Sequence, residues 1–174
     1  KAEGRWVNLA SITPSARAQE LGAQIDKDAR LVELVLQESN AVLRIRSGTI
    51  IVEHKLGFVC ANAGIDHSNV AGEGSKDEEW VLLLPADPDG SAQRLRQRFE
   101  QAGGCRVGVL IIDSHGRAWR QGVVGISIGL AGLPGLVDLR GQPDLFGYTL
   151  RITQIGTADE LAAAASLIMG QAAE

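Results

Sequence analysis

A stretch of small, apolar and polar residues at positions 57–70 limits what this chain can fold into more than any other feature. Its first half is apolar and small, and its second half places Asp66, Ser68 and Asn69 within four positions. A core strand would not tolerate these polar side chains, because they are costly to bury without partners. A solvated turn would tolerate them but would not need the small residues and glycines before them. The pattern therefore predicts a backbone that approaches a ligand closely while short polar side chains point at it.

The composition is that of an ordinary soluble globular protein and argues against several classes of partner. The chain has 174 residues, of which 45% are hydrophobic and 22% charged, so it can form one domain or two small interlocked lobes. Its net charge of −4 and its aromatic content of 4% argue against nucleic acid as a partner. No stretch reaches the roughly 18 apolar residues of a membrane helix, so we expect no membrane partner and a cytoplasmic location.

The two cysteines, Cys60 and Cys105, are far apart in the sequence and belong to no CxxC or Cys/His pattern. This spacing offers neither a zinc site nor a disulfide framework. We therefore expect both to be buried, reduced thiols.

Helix and strand signals are mixed along the first half of the chain. Thr13 and Pro14 are typical of the cap and first residue of a helix that continues to Ile25. Asp28 can cap a second helix. Residues 42–53 are rich in β-branched side chains and are interrupted by a Ser-Gly pair, which predicts a hairpin. The other strands predicted in this half lie at residues 58–61 and 81–84.

Two strong strand signals dominate the second half. Residues 107–112 are apolar and β-branched, as in a strand buried on both faces, and we predict that this strand ends abruptly at Asp113 and Ser114. Residues 123–132 are apolar and carry glycines at regular intervals. Glycine in a strand is typical of close packing against another backbone.

Further elements complete an irregular mixture of strands and helices. Ser91 is expected to cap a helix over residues 92–102, and residues 149–155 alternate like a strand. Thr157 begins a capping box, which predicts a helix to about Met169. Because strands and helices do not alternate strictly, the sequence favours an α+β fold with mixed sheets and packed helices over a doubly wound sheet.

Two polar turns offer hard oxygen ligands. Asp66 lies in one, and Asp113 with Ser114 lies in the other. Magnesium or manganese bound to nucleotide phosphates takes carboxylate and hydroxyl oxygens of this kind. Taken alone, however, Asp113 is better explained as a turn residue that caps its own backbone.

The remaining polar residues leave their roles open. His67 and His115 each follow an aspartate and are more typical of exposed turns than of a catalytic base. Arg117 and Arg120 could clamp an anion or could be surface cations. None of the common nucleotide-binding or hydrolase motifs is present in the sequence.

Several separated motifs resemble those of one known family. They are Gly-Phe-Val-Cys-Ala-Asn-Ala-Gly-Ile-Asp at residues 57–66, Lys-Ala-Glu-Gly-Arg at 1–5, Leu-Leu-Pro-Ala-Asp-Pro-Asp at 83–89, Gly-Arg-Ala-Trp-Arg-Gln-Gly at 116–122, Ile-Gly-Leu-Ala-Gly at 128–132, Asp-Glu-Leu-Ala at 159–162 and Met-Gly-Gln at 169–171. The set, in its order along the chain, resembles the coenzyme F420-0:γ-glutamyl ligase family, which joins glutamate to a deazaflavin phosphodiester at the expense of GTP. The resemblance covers nearly the whole chain.

The resemblance implies a divalent metal site and its ligands. By position, Asp66 is a metal ligand, and Asp113 and Ser114 are further metal ligands. The family usually has threonine where Ser114 stands, so the hydroxyl is retained. It usually has an aromatic or large apolar residue where His115 stands, so one wall of the pocket differs.

The resemblance also implies contacts with the guanine nucleotide. Asn69 inherits a contact with the nucleotide, and Lys1 inherits a contact with its phosphates. Met169, Gly170 and Gln171 lie at the nucleotide in the family, and Gln171 is in addition a candidate metal ligand.

The reaction implied by the resemblance needs no side-chain nucleophile. A carboxylate of the coenzyme precursor attacks the γ-phosphate of GTP to give an acyl phosphate, and the amine of L-glutamate then displaces phosphate. The implied cofactors are manganese or magnesium, with potassium as a candidate monovalent cation and GTP as co-substrate. The implied partners are GTP, L-glutamate, the deazaflavin precursor and a second copy of the chain in an intertwined homodimer.

Two alternatives stay open at this point. The chain could be a paralogous ligase that joins an amino acid to another carboxylic acid, or a catalytically silent module for nucleotide binding or dimerisation. The presence of Asp66, Asn69, Asp113 and Ser114 argues against the silent module, because drift would have no reason to spare them.

The resemblance further implies that residues 1–174 form one ligase domain that lacks parts found in the family. These parts are about forty residues before Lys1, with a strand leading into Ser-Lys-x-x-Ser, and a closing strand after Glu174. We expect a molecule without them to lack ligase activity and to bind GTP weakly.

Overall fold

The computed structural model describes residues 3–68, 70 and 79–172. The chain divides into two units, Lys1–Ala86 and Asp87–Glu174. Each unit is built from helices and small antiparallel sheets, so the predicted α+β class is confirmed.

Two short helices of the first unit begin at side-chain caps. Helix α1 (Ala16–Ile25) begins after Ser15, whose hydroxyl accepts a hydrogen bond from the Ala18 amide. The prediction that Thr13 caps this helix is therefore wrong, because Ser15 supplies the cap two residues later. Helix α2 (Ala29–Gln37) begins after Asp28, which accepts from the Arg30 amide as predicted.

The strands of the first unit form two antiparallel sheets. They are β1 (Arg5–Asn8), β2 (Ser39–Arg46), β3 (Thr49–His54), β4 (Val59–Ala61) and β5 (Trp80–Leu83). The order β2-β3-β4 confirms the predicted hairpin and the strand after it, while β1 pairs with β5 in the register Arg5 to Leu83.

The core of the first unit lies under the inward face of β3. Ile50, Val52 and His54 are buried at alternate positions of this strand, as expected for a strand with one face on the core. Val32 and Val35 of α2 belong to the same apolar cluster as Ile50 and Val52. Cys60 is buried beside them, as predicted.

The second unit pairs two long strands with two helices. Its elements are α3 (Pro88–Gly103), β6 (Val109–Gly116), β7 (Val123–Ala131), β8 (Val137–Asp138), β9 (Gln154–Ile155) and α4 (Thr157–Met169). β6 pairs with β7 and β8 with β9, both antiparallel. None of the helices in the described parts of the chain combines the length and the hydropathy needed to span a bilayer.

Several sequence predictions for the second unit are wrong. The predicted cap Ser91 is a buried residue inside α3, because Asp87 caps the helix four residues earlier and Pro88 is its first residue. Thr157 is the first residue of α4, not its cap, and Gly156 precedes it without a side-chain cap bond. Cys105 is exposed.

Two predicted strands are present, but with other bounds than predicted. β6 does not end at Asp113 but continues to Gly116, since its residues pair with β7 over that whole length. Only Gln154–Ile155 of the predicted strand at 149–155 is extended in a ladder. Thr149 forms an isolated antiparallel bridge with Pro143, next to a hydrogen bond from the Leu150 amide to the Gln142 carbonyl.

Glycines of β7 let both helices approach the strand backbone. A Cβ added at Gly125 would lie 2.5 Å from the Ala162 carbonyl oxygen of α4, and one at Gly129 would lie 2.5 Å from Pro88 of α3. The predicted close packing of this glycine-rich strand is therefore confirmed. The amide of Ser127 donates to the Asp159 carboxylate of α4, which holds the same helix against the strand.

Candidate functional site

A left-handed turn positions Asp66 in the first unit. Asn62, Ala63 and Gly64 have φ values of 49°, 53° and 64°, a conformation that residues with a Cβ adopt only at a cost. The chain leaves this turn directly onto β5, where the Asp66 amide donates to the Leu82 carbonyl at 2.9 Å and the Leu82 amide donates to the Asp66 carbonyl at 2.8 Å. The backbone of Asp66 is thus fixed on both sides.

Neighbouring residues hold the turn in place. The Asn62 side-chain oxygen accepts a hydrogen bond from the Ile50 amide at 3.1 Å, and Ala63 is fully buried. A Cβ at Gly64 would lie 2.9 Å from Leu84 Cδ1. The small residues of this stretch are therefore explained by packing against β3 and β5, and Asp66 is partly exposed at its end.

The second unit places Asp113 and Ser114 on opposite faces of β6. Ser114 pairs directly with Gly125, and directly opposed residues of an antiparallel pair share one face of the sheet. Since the missing side chain of Gly125 would point at α4, Ser114 lies on the face that α4 covers. Asp113 precedes it in the strand and lies on the other face.

A hydrogen bond joins Ser114 to the end of α4. The Ser114 hydroxyl donates to the Gln171 side-chain oxygen at 2.8 Å, across 57 residues of sequence. Gly170 ends the helix with φ 68° and ψ −177°, so the chain turns sharply and presents Gln171 to the strand. Met169, at the last position of the helix, is largely exposed.

The predicted site residues are therefore brought together only in part. Ser114 and Gln171 are in contact, Met169 and Gly170 lead into Gln171, Asp113 lies on the opposite face of the same strand, and Asp66 belongs to the other unit. Lys1 and Asn69 lie outside the described residues.

The donor set fits a hard divalent cation in its chemistry. Carboxylate, hydroxyl and amide oxygens are the ligands that magnesium and manganese prefer, and Asp66, Asp113, Ser114 and Gln171 supply them. Within the described residues of either unit, no three His, Cys, Asp or Glu side chains cluster as a self-contained metal site.

Arg117 and Arg120 lie in the loop between β6 and β7. Both are exposed, and the Arg120 amide donates to the Arg117 carbonyl at 3.3 Å. His67 is exposed, as predicted, whereas the prediction of an exposed turn is wrong for His115, which is partly exposed within β6. The choice between anion clamp and surface cation for the two arginines stays a prediction.

Sequence analysis missed two residues that shape these regions. Asn62 has no role in the sequence predictions, although its side chain ties the turn to β3. His54 was not considered, although it is 2% exposed and lines a polar cleft. The alternation of Ile50, Val52 and His54 in the sequence was a signal that the histidine faces inward.

A family model described as F420-0:gamma-glutamyl ligase matches residues 1–174 of the chain. Several curated proteins are similar over the same length, and each is named coenzyme F420:L-glutamate ligase. The protein of Methanothermobacter thermautotrophicus is 45% identical over 174 residues, which are 100% of this chain and 67% of the relative. The proteins of Methanopyrus kandleri and Methanocaldococcus jannaschii are 47% and 42% identical with the same coverage.

Proposed function

The chain belongs to the F420-0:gamma-glutamyl ligase family, and from this premise we propose that it joins L-glutamate to the deazaflavin coenzyme F420 precursor with GTP as co-substrate. The observation that carries the proposal is the similarity over the full length of the chain to relatives named for this ligation. The use of GTP agrees with the cytoplasmic location expected from the sequence.

The proposed reaction has two steps. A carboxylate oxygen of the precursor attacks the γ-phosphorus of GTP, and the bond to the β-phosphate oxygen breaks, which gives an acyl phosphate and GDP. The deprotonated amine of L-glutamate then attacks the acyl carbon, and phosphate leaves with the electron pair. Positioning and charge stabilisation suffice for both steps, so neither needs a side-chain nucleophile.

The oxygen donors of the site support a role in holding a metal and its nucleotide. Asp66 and Asp113 would bind manganese or magnesium, while Ser114 and Gln171, which are in contact on the face of β6 opposite to Asp113, would offer a hydroxyl and an amide oxygen there. When bound, the divalent ion neutralises charge that develops on the phosphates. Potassium as an additional monovalent cation and the nucleotide contacts of Lys1, Asn69, Met169 and Gly170 are part of the same proposal.

We propose that the functional form is a homodimer. In the second unit, Asp144 fixes a tight turn by accepting hydrogen bonds from the Phe146 and Tyr148 amides, both at 2.8 Å. This ordered turn holds Leu145 and Phe146 in solvent, where they are 96% and 93% exposed. Large apolar side chains presented by a fixed turn support an interface with a second protein surface.

The test is GTP turnover that depends on both L-glutamate and the deazaflavin precursor. Asp66→Asn and Asp113→Asn keep the size of each side chain but remove a charged ligand, and each should lower kcat/KM by at least about 100-fold. If Asp113→Asn kept full activity, its assignment to the metal site would be wrong.

Two matched charge changes control for a general effect of lost carboxylates. Asp26→Asn lies at the exposed end of α1, where a left-handed φ of 56° also suits asparagine. Glu160→Gln lies exposed in the first turn of α4. Both should keep kcat/KM within a factor of about two. Turnover with a different carboxylic acid in place of the precursor would favour the paralogous ligase, and no turnover with any acceptor would favour the silent module.

A further inference from the structure

The loop between β6 and β7 carries a fully exposed tryptophan in an unusual backbone conformation. Trp119 is 100% exposed and has a φ of 55°. It is the third residue of a tight turn, in which the Arg120 amide donates to the Arg117 carbonyl at 3.3 Å. A positive φ at the third position of such a turn favours glycine or asparagine, and a bulky residue adopts it only at a cost. The indole thus adds no packing to the described part of the unit, while its backbone is strained.

The same turn carries two cations. Arg117 and Arg120 are its first and last residues, so their Cα atoms lie within about 7 Å of each other. Both are exposed, and residues 116–122 contain no acidic residue, although the whole chain has a net charge of −4. Within the described residues neither guanidinium has an ion-pair partner, whereas Arg30 and Arg140 each pair with a carboxylate. The loop is therefore a local positive site on an acidic protein.

The loop continues directly from the strand that carries two candidate site residues. β6 ends at Gly116, two residues beyond Ser114, and the Cα atoms of these two residues are therefore about 7 Å apart along the strand. A Cβ added at Gly116 or at Gly122 would have nothing within 4 Å, so the space around both ends of the loop is open. The loop thus offers an accessible binding element at the end of the strand that carries Asp113 and Ser114.

The precursor in the proposed reaction has the groups that this loop would recognise. A deazaflavin is a flat aromatic ring system, which can stack on the face of an indole. Its phosphodiester carries a negative charge, for which exposed guanidinium groups are suitable donors. GTP also has a ring and phosphates, but the nucleotide contacts proposed above lie at Lys1, Asn69 and residues 169–171, and the metal is proposed to hold its phosphates. The loop is therefore better suited to the precursor than to the nucleotide.

We propose that residues 116–122 dock the deazaflavin precursor, an inference that rests on the ligase function proposed above. The indole of Trp119 stacks on the ring system, and the guanidinium groups of Arg117 and Arg120 pair with the phosphodiester. The loop thereby supplies the residues that hold the acceptor substrate. A precursor docked in this way has its ring at the loop and leaves its carboxylate free to extend towards the candidate metal ligands of β6.

Calorimetry of precursor binding to the whole chain tests the proposal without any turnover. Trp119→Leu keeps an apolar side chain but removes the aromatic face, and it should weaken precursor binding at least about tenfold. Trp119→Tyr keeps an aromatic face and should restore most of the affinity. Phe99→Leu removes a half-exposed ring from α3 of the same unit and should leave the affinity unchanged. Wild-type affinity in Trp119→Leu, no recovery in Trp119→Tyr, or no precursor binding to the wild type would overturn the proposal.

A double charge change tests the contact with the phosphodiester. Arg117→Gln with Arg120→Gln should weaken precursor binding at least about tenfold, but it should keep the affinity for the same deazaflavin without its phosphodiester within a factor of about two. Arg44→Gln with Arg46→Gln removes two exposed cations from β2 and should leave both affinities unchanged. Equal losses of affinity for the two ligands, or wild-type affinity for the precursor, would contradict the assignment of Arg117 and Arg120.

Two further measurements separate the precursor from other occupants of the loop. The affinity for GTP should be the same in Trp119→Leu as in the wild type, and a loss confined to GTP would assign the loop to the nucleotide instead. The mass of Trp119→Leu in light scattering should equal that of the wild type. A lower mass would show that the indole belongs to an interface between chains and would overturn the proposal.

Steady-state kinetics separates this proposal from the ligase proposal. Trp119→Leu should raise the KM for the precursor about tenfold while the KM values for L-glutamate and GTP stay unchanged. If ligation occurs and the KM for the precursor does not change, the docking assignment is wrong while the ligase function stands. If no ligation occurs at all, the ligase proposal fails, and calorimetry with the precursor still decides whether the loop binds it.

Discussion

Strain in the backbone before Asp66 is concentrated in three residues. Asn62, Ala63 and Gly64 are consecutive left-handed residues, and such conformations persist only where the surroundings enforce them. Here the Ile50 amide holds Asn62, and Leu84 packs against Gly64. The turn delivers Asp66 to β5 in a fixed register, so its residues determine where the carboxylate stands.

Replacing Gly64 by alanine should therefore destabilise the first unit. The positive φ costs about 1 kcal/mol for a residue with a Cβ, and the 2.9 Å approach to Leu84 should add about 1 kcal/mol more. Urea unfolding measures the sum. Gly48→Ala is the matched control, because Gly48 has a φ of 72° with nothing within 4 Å of the added Cβ, and it should show the conformational cost alone. Equal losses of unfolding free energy in the two variants would mean that Leu84 moves aside without an energetic cost.

The buried His54 should make stability depend on pH. Burial lowers the pKa of His54, with Arg5 and Lys55 acting in the same direction and Glu38 opposing them. The unfolded chain therefore takes up the proton first as the pH falls below about 6.5. The free energy of unfolding should be highest above that pH and should decrease as the pH falls through the lowered pKa of the folded state.

Urea unfolding at several pH values between 8 and 5 measures this loss. Carboxylates also titrate towards the lower end, so the informative quantity is the difference between the wild type and His54→Phe. That variant should lose the part of the slope below about pH 6.5, whereas His67→Asn, at an exposed position, should keep it. A wild-type slope in His54→Phe would show that another group is responsible.

At the residue level, the features that depend on a few neighbouring residues were predictable. Asp28 was identified as a cap because its partner, Arg30, is two residues away. The cap of α1 was misplaced by two residues, from Ser15 to Thr13, since both offer a hydroxyl and only the fold selects one. The inward position of His54 and the tie between Asn62 and Ile50 depend on strand pairing, which the local sequence does not determine.

At the level of elements, the contact between α4 and β7 determines the spacing within the candidate site. Gly125 lets the helix backbone lie against the strand, and its amide donates to the Ser166 hydroxyl at 3.2 Å. One turn later the helix ends at Gly170, and Gln171 reaches Ser114. The glycine thus positions Ser114 through direct strand pairing and Gln171 through its contact with α4.

Gly125→Ala should move or loosen α4. The added Cβ would lie 2.5 Å from a backbone oxygen, which cannot rotate away as a side chain can, so we expect a loss of about 2 to 3 kcal/mol. Hydrogen exchange should become faster for the amides of α4. Gly116→Ala, at the end of β6 with open space around the added Cβ, should leave exchange in α4 unchanged. Unchanged exchange in Gly125→Ala would mean that the helix adapts without leaving the strand.

Sequence reasoning predicted the close packing of β7 but placed the end of β6 incorrectly. Repeated glycines in an apolar strand have a local physical meaning, because positions without a side chain allow another backbone to pack closely. The polar residues Asp113 and Ser114 were read as a turn, yet they continue the ladder to Gly116. Cross-strand pairing supplies the backbone hydrogen bonds there, and pairing of this kind is invisible in a single stretch of sequence.

At the level of the whole molecule, the apolar turn at Leu145 and Phe146 is expected to contribute to a homodimer. Light scattering coupled to size-exclusion chromatography should give the mass of two chains. The double change Leu145→Ser and Phe146→Ser should shift the protein to the mass of one chain, because each residue would lose its buried apolar area. Leu43→Ser, a half-exposed residue on β2, should leave the dimer intact. A monomeric wild type, or a dimeric double variant, would contradict this prediction.

The division of the chain into two units explains why the predicted metal ligands could not be joined by sequence reasoning alone. Asp66 belongs to the first unit, and Asp113, Ser114 and Gln171 belong to the second. The motifs identified the family correctly, because recognising them needs only the residues and their order along the chain. The face of the sheet on which each predicted ligand lies depends on pairing and packing inside each unit, as the opposite faces of Asp113 and Ser114 illustrate.

The contact of β7 with the helix backbone also has a consequence for engineering. Side chains around a site can be exchanged one at a time, but a spacing set by two touching backbones changes only when a whole element is moved. We therefore expect most substitutions in the surrounding apolar layer to leave the distance between Ser114 and Gln171 unchanged. A designer who wished to change the distance between Ser114 and Gln171 would gain little from libraries at β7 and would do better to vary the number of residues between Ser166 and Gln171.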